Sequence, residues 1–512
     1  MAPYLQESTE LVFPDYEAGI SWFPAAADKE TRQRTLVNAS HIDDLHRLLA
    51  ATDVQIVVPQ DAAYANAIHC WSQTAEKPAG VVVYPTQAHE VSATLQYAIG
   101  AGLDIAIKCG GHSTNGASST DGGVLINLAK MKKIVVDPER MLVHVGGGCL
   151  WGEVDKAAWQ HGLAVVGGSN GTTGVGGLTL GGGYGMLTGE HGLAIDNLVS
   201  AEIVLANGKV VRASECHNSD LFWALRGAGH NFGIITELTL RAHTQGDIFM
   251  GALVFPPVPQ VVSKLVKLVN DLYTVTDTPA GPSSKSAGKT MGLLGITHQH
   301  GRTGILLVVT YNGPEQEARE IYKPFFELGP VFENTRMAAY PEVNSQVPAA
   351  HGIRSSMKGA AFTLPIRDTF FLDIVRRYQE FMQRCPEASG SLVGWELMDP
   401  TKVCASDNGS FATRGFHLNS VIMPMWRSAN LDDTCRNWAR QIGSRFQDEL
   451  DCSMGKGVRS DRGAVLLYGN YDQYDETAED IFGANYPRLQ QLKAKYDPSN
   501  IFNKLYPIEP KC

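Results

Sequence analysis

The segment Gly167-Gly168-Ser169-Asn170-Gly171-Thr172-Thr173-Gly174-Val175-Gly176-Gly177-Leu178-Thr179-Leu180-Gly181-Gly182-Gly183-Tyr184-Gly185 limits what this chain can fold into more than any other. Glycine loses the most conformational freedom on folding and contributes no side chain to a core. A run this rich in glycine therefore has to lie against something else. Tight turns between strands are the plain explanation, and close approach of backbone to a flat ligand is the better one. The run is not a dinucleotide fingerprint, because Thr179 and Met186 stand where GxGxxG needs its last glycine. It is not a nucleoside-triphosphate loop either. Gly288-Lys289-Thr290 has the right ending, but Ser283 replaces the first glycine.

A second run, Lys108-Cys109-Gly110-Gly111-His112-Ser113-Thr114-Asn115-Gly116, follows the apolar segment Leu103-Asp104-Ile105-Ala106-Ile107. Successive backbone N–H groups in such a turn form a nest for a phosphate or pyrophosphate. His112 then sits with its ring aimed at whatever the nest holds. The pair of features points to a phosphate-bearing cofactor with a histidine at its reactive end.

The chain has 512 residues, which suggests two or three domains. Its 43 basic and 53 acidic residues give a net charge of −10, which argues against nucleic acid or an anionic membrane surface as partner. Nine cysteines are scattered without CxxC spacing, so they read as reduced thiols, and no metal site is expected. The N-terminus Met1-Ala2-Pro3-Tyr4-Leu5-Gln6-Glu7 lacks the basic start and apolar run of a secretory signal, and a cytoplasmic location is expected. The sequons at Asn38, Asn170 and Asn408 then read as chance matches.

Residues 1–55 read as a polar extension with one amphipathic helix over Ile42–Leu49. Gly80–Pro85 reads as a strand feeding a turn, His89–Ile99 as a helix, and Leu103–Ile107 as a strand. Short strands follow at Val124–Asn127, Leu142–Val145, Ala201–Leu205 and Gly233–Thr236, with a helix over Trp151–Trp159 and a hairpin signal at Asn207-Gly208. Beyond residue 245 glycine thins out. Helices are expected over Val261–Leu272, over Glu315–Tyr322 with a stop at Pro324, and over Phe370–Met382; strands are expected over Gly304–Tyr311 and Phe416–Met425. This middle region reads as a separate α+β domain.

The motifs in order are Gly110-Gly111-His112, the long glycine cluster, Gly192-Leu193-Ala194-Ile195-Asp196-Asn197, Asp220-Leu221-Phe222-Trp223-Ala224-Leu225-Arg226-Gly227, Asn485-Tyr486 and Tyr496-Asp497-Pro498. Together they resemble the berberine-bridge-enzyme-like branch of the vanillyl-alcohol oxidase superfamily, over about residues 55–245 and 460–512. The resemblance implies an α+β fold: a bipartite PCMH-type FAD-binding domain of two α/β subdomains, plus an α+β substrate domain with an antiparallel sheet. The corresponding boundaries are 1–55 for the extension, 56–245 for the FAD-binding domain, 246–459 for the substrate domain, and 460–512 for a segment returning to the FAD domain. It also implies FAD bonded through the ring of His112. Asn170 stands in the slot where many relatives carry a second, cysteinyl tether, so attachment through His112 only is expected. The implied cofactor contacts further include Gly110, Gly111, Ser113, Gly168, Gly174, Gly177, Gly182 and Ile235, with Tyr84 and Pro85 near the adenine end and Asn485 from the C-terminal segment. Thr173 occupies a position where a small residue favours oxygen access.

Tyr468-Gly469-Asn470-Tyr471-Asp472 resembles the family's YxNYxD pattern with its aspartate one place early, and Tyr471 is implied as base or substrate anchor. A phenol is a useful base only where its neighbours lower its pKa. His417 and Asn419 alternate to one face of their strand and are expected to line the substrate cavity. Glu396 is expected to be a structural strand residue. The resemblance implies an oxidase acting on a small organic substrate, an alcohol or an activated C–H or C–N bond of secondary metabolism. Hydride would pass to flavin N5 and O2 would be reduced to H2O2. A dehydrogenase with another acceptor and a non-redox cyclase remain as alternatives.

Overall fold

The computed structural model describes residues 35–279, 281–344, 353–454, 467–471 and 475–511. Most of the expected N-terminal extension (residues 1–34), Asp472 and the 459/460 boundary lie outside the described residues.

Three β-sheets organise the chain. The first has the spatial order Gln55–Val57, Val81–Tyr84, Val124–Asn127, Ile105–Lys108, and its last three strands run parallel. Parallel strands covered on both faces read as continuous apolar runs, and Val81, Val82, Val83, Val124, Leu125 and Ile126 are all buried. The crossover helix Ala88–Gly100 joins two of these strands. Its start is held by the Glu90 carboxylate, which accepts the N–H groups of Thr86 (2.6 Å) and Gln87 (3.1 Å). The strand Ile105–Lys108 ends where the Cys109–Gly116 loop begins, at the carboxyl ends of the parallel strands, where open α/β sheets bind ligands.

The second sheet is antiparallel, in the order Ile134–Asp137, Leu142–Gly146, Ile234–Thr244, Leu198–Val204, Val210–Ser214, with Leu163–Val165 on the far end of Ile234–Thr244. The expected hairpin at Asn207-Gly208 joins Leu198–Val204 to Val210–Ser214. Gly208 alone takes a positive φ there (78°), the pattern of a type I turn followed by a left-handed glycine. The first two sheets share one apolar cluster, in which Val204 and Ile234 meet Val81 and Ile105.

The third sheet has eight strands: Phe332–Glu333, Ile248–Phe255, Arg302–Tyr311, Thr290–Gln299, Leu392–Met398, Leu418–Met423 and Lys358–Phe362 in order, with Arg336–Ala338 also on Ile248–Phe255. Helices Pro259–Tyr273, Glu315–Glu327, Asp368–Arg384 and Asp432–Met454 flank it and share its largest apolar cluster. The chain is thus a mixed α+β fold with separable sheets.

Two expectations change. The helix from Glu315 continues through Pro324 to Glu327. Proline there removes one backbone donor, while the buried stripe Ala318, Tyr322 and Phe325 holds the last turn in place. The strand expected over Phe416–Met425 is shorter, Leu418–Met423, and leaves exposed Phe416 and buried His417 before it.

The helix Ser219–Ala228 breaks at Arg226 and Gly227 (φ 135°). A side chain at Gly227 would lie 2.3 Å from the Phe411 nitrogen, which donates to the Arg226 carbonyl at 2.9 Å. The break therefore docks residues 410–411 onto the helix that packs on the second sheet. The C-terminal helix Tyr486–Tyr496 packs on the same helix.

Candidate active site

Two loops meet at Gly110 and Gly174. A Cβ on Gly110 would lie 2.4 Å from the Gly174 nitrogen, and one on Gly174 would lie 2.5 Å from Cys109 Sγ. This contact sets His112 against the glycine-rich loop. His112 Nε2 is 2.8 Å from Thr172 Oγ1, its Nδ1 is 3.4 Å from Thr173 Oγ1, and its ring stacks on Trp71 at 5.5 Å and 20°. Asn170 closes the loop, its Oδ1 accepting from Thr172 N (2.9 Å) and Thr172 Oγ1 (2.8 Å).

The loop rests on a buried pair. Gly171 N donates to the Asn344 carbonyl, and Asn344 Nδ2 donates to Asp155 Oδ2 at 2.7 Å. Burial pushes the Asp155 carboxyl from 3.8 up to about 7. The folded state therefore holds a proton that the unfolded chain releases, so this group's stabilisation is complete below 3.8 and is lost as pH rises through 7. Asp155→Asn keeps the acceptor for Asn344 and removes the titration. Urea unfolding at pH 5 and pH 8 is expected to show the variant gaining on the parent chain with pH, by ~2–3 kcal/mol at most.

The second cluster lies between the third sheet and the C-terminal segment. Trp395 and Leu397 enter the core beneath the helices, so Glu396 between them points to the opposite face. There its Oε1 accepts from the Tyr471 hydroxyl at 2.6 Å. Asn419 lies on the neighbouring strand, one position beyond the Trp395–Ser420 pair of the antiparallel register. Burial raises the Glu396 carboxyl to about 7, with the hydrogen bond from Tyr471 and the nearby Asn419 side chain pulling the other way. Burial and the adjacent Glu396 hold the Tyr471 phenol well above its usual range. Tyr471 thus donates to Glu396 here, and Glu396, expected to be a structural strand residue, is the buried carboxyl of the pair. Aromatic rings close the cluster edge-to-face: Tyr468 is 4.9 Å from both Tyr471 and Tyr184. Arg414 forms a two-pronged pair with Asp196 at 2.8 and 2.9 Å beside them.

The two clusters are joined by one short helix, Val175–Leu180, ~9 Å long. Gly174 at its start abuts Gly110, and Asn470 Nδ2 donates to the Leu178 carbonyl near its end.

Comparison with known proteins gives this geometry a family. A profile for the FAD binding domain matches residues 79–214, and one for berberine and berberine-like proteins matches residues 467–509. The FAD-linked oxidoreductase pgmH of Aspergillus terreus is 33% identical over 489 residues, which cover 91% of this chain and 96% of the relative. The chain belongs to the berberine-bridge-enzyme-like, PCMH-type FAD-linked oxidoreductases. Among solved structures, 6-hydroxy-D-nicotine oxidase from Arthrobacter nicotinovorans superposes with a TM-score of 0.74 at 24% identity, covering 90% of this chain and 98% of that one. Glucooligosaccharide oxidase from Acremonium strictum, whose FAD is 6-S-cysteinyl and 8α-N1-histidyl, gives 0.75 at 22% identity, covering 91% and 99%. These two likenesses speak for the fold.

The glycines of this oxidoreductase divide by environment. Side chains on Gly168 and Gly182 would strike Leu178 and Phe411, both at 2.6 Å. Packing within the protein is by itself enough to require glycine at Gly110, Gly168, Gly174 and Gly182. Gly177 differs: it is exposed, a Cβ there would enter open space, and its carbonyl lies 2.9 Å from His230 Nε2. A group lying along the backbone at Gly177 is accommodated. Trp71 Nε1, buried beside His112, has no acceptor among the described residues and suits a polar group bound there. The residues present therefore fit FAD.

The other residues implied as cofactor or cavity contacts have the following surroundings. Gly111 takes φ 66°, and its carbonyl accepts from Trp71 N. Ser113 Oγ donates to Asn115 Oδ1 at 2.6 Å. Tyr84 and buried Pro85 end a parallel strand, with the Lys130 ammonium 5.9 Å from the Tyr84 ring. Ile235 is buried in its strand, and its carbonyl packs against Gly147. Asn485 donates to the Ser410 carbonyl at 3.1 Å. His417 is buried, neutral with its pKa pushed down to about 4, and its Nδ1 has no partner among the described residues. Thr172, Trp71, Tyr184 and Tyr468 join the site without a sequence signal of their own, except Tyr468 as the first tyrosine of the YxNY motif.

No helix among the described residues is long and apolar enough to cross a membrane.

Proposed function

We propose that this chain is a flavin oxidase that takes two electrons from a small organic substrate, an alcohol or an activated C–H or C–N bond, and passes them to O2. Residues 56–245 and 460–512 would hold FAD and residues 246–459 the substrate. The observation that carries this reading is the Glu396–Tyr471 pair: a buried carboxyl poised near neutral pH, on the sheet face that meets the glycine-rich helix. Bound FAD supplies the hydride acceptor and the route of two electrons to O2. Glu396 takes the proton that leaves the substrate, while Tyr471 orients the carboxylate and the substrate. Asn419, His417 and the rings of Tyr184 and Tyr468 shape the cavity. For an alcohol, hydride and proton leave together to give a carbonyl, and O2 with two electrons and two protons gives H2O2. Thr173, small and beside His112, suits access of O2.

His112 would be the only covalent tether, since Asn170 replaces the cysteine. Acid precipitation of the purified chain is expected to leave a yellow pellet, and His112→Ala a colourless one with free FAD in the supernatant. A substrate panel read by peroxide release tests the oxidase reading. Rapid bleaching without oxygen, followed by slow recolouring in air, would assign the chain to the dehydrogenases. Turnover without bleaching would assign it to the cyclases.

A further inference from the structure

The hydrogen bonds around Thr172 have only one consistent direction. Thr172 N is a donor, so the Asn170 side-chain atom it meets at 2.9 Å is the amide oxygen. That same oxygen lies 2.8 Å from Thr172 Oγ1 and can only accept, so the single hydroxyl proton of Thr172 is spent on Asn170. Thr172 Oγ1 must then accept at its 2.8 Å contact with His112 Nε2. His112 Nε2 carries the proton, and in the neutral ring Nδ1 carries the lone pair. The Thr173 hydroxyl, 3.4 Å from Nδ1, stands on the side where a donor suits a lone pair. Trp71 stacked on the ring holds its plane.

We infer that Asn170 and Thr172 are positioning residues for flavin attachment: they lock His112 as the Nε2–H tautomer and so make Nδ1 the nitrogen that bonds the flavin. Asn170, in the position where relatives carry a cysteinyl tether, thus serves the histidyl one. This rests on the assignment of His112 as the tether. The net change replaces one C–H of the flavin 8-methyl group and the imidazole N–H by one C–N bond. The two protons and two electrons released reduce one O2 to H2O2. The proton that leaves the ring is the one Thr172 holds.

The test supplies FAD to full-length chain produced without flavin and follows acid-stable flavin with time, alongside non-covalent affinity from flavin fluorescence. Thr172→Val, which cannot accept, is expected to slow attachment about tenfold or more, while Thr172→Ser stays within about threefold of the parent. Asn170→Ala, which frees the Thr172 hydroxyl, is expected to fall between them. Non-covalent affinity, measured in the same chains, separates slower attachment from weaker binding, and the Thr172→Val loss is expected to persist at saturating FAD. In histidine-15N-labelled chain, the ring signal missing from His112→Ala is expected to show its N–H at Nε2. Attachment by Thr172→Val at the parental rate, or an N–H at Nδ1 in the parent chain, overturns the inference. If the parent binds FAD but never attaches it, the tether assignment itself fails, and the ring spectrum still decides the tautomer.

Discussion

Glu396→Gln slows substrate-dependent flavin bleaching by about 10²–10⁴-fold, the usual loss on removing a general base. Glutamine keeps an oxygen to accept from Tyr471, so the pocket keeps its shape while losing the group proposed to take the proton. The parent kcat/KM is expected to rise as pH increases through about 7, where the raised carboxyl ionises, and this limb is expected to vanish in Glu396→Gln. Tyr471→Phe separates the two roles. Its hydroxyl stabilises the Glu396 carboxylate, so removing it moves the limb to higher pH and leaves it present. Loss of the limb in Tyr471→Phe, with an unchanged limb in Glu396→Gln, would return the base role to the tyrosine. Stopped-flow bleaching across pH 5 to 9 reads both.

Lys493→Met has the largest expected effect on stability. Both partners of the Lys493–Asp497 pair are fully buried at 2.7 Å. The ammonium also donates to the carbonyls of Asn231 (2.7 Å) and Phe502 (2.8 Å), and Asp497 accepts from the N–H groups of Ile501 and Phe502. The pair therefore pins the C-terminal segment beside the turn after the Ser219–Ala228 helix. Removing the cation leaves a buried carboxylate unpaired, a loss of about 3–5 kcal/mol. The double variant Lys493→Met, Asp497→Asn is expected to recover part of that loss, because a neutral acceptor needs no counter-charge. Chemical unfolding of the parent, Lys493→Met, Asp497→Asn and the double variant checks it, and additive losses would show that the two groups act independently.

Local order was readable in advance where periodicity or turn chemistry acts over a few residues. The helix Trp151–Trp159, the parallel strand Val81–Tyr84, the Asn207-Gly208 hairpin and the position of the Gly110-Gly111-His112 loop at a strand end all follow from such patterns. Reading failed where packing outweighs local preference. Pro324 does not end its helix because the buried faces of Tyr322 and Phe325 hold the turn beyond it. In the glycine cluster most members are glycine where another part of the protein, usually a side chain distant in sequence, occupies the space of a Cβ, and contacts of this kind leave no trace in spacing.

The amino-acid order alone fixed the flavoprotein class, since the glycine runs, His112 and the YxNY segment recur in a recognisable succession. Which candidate groups stand together is decided by contacts between residues far apart in the chain. Glu396 and Tyr471 are 75 positions apart, and His112 and Thr172 are 60 apart. A carboxyl's pKa depends on burial and on its partners, and an imidazole's tautomer depends on the direction of one hydrogen bond. Both are properties of the assembled surroundings, so no run of letters around Glu396 or His112 contains them.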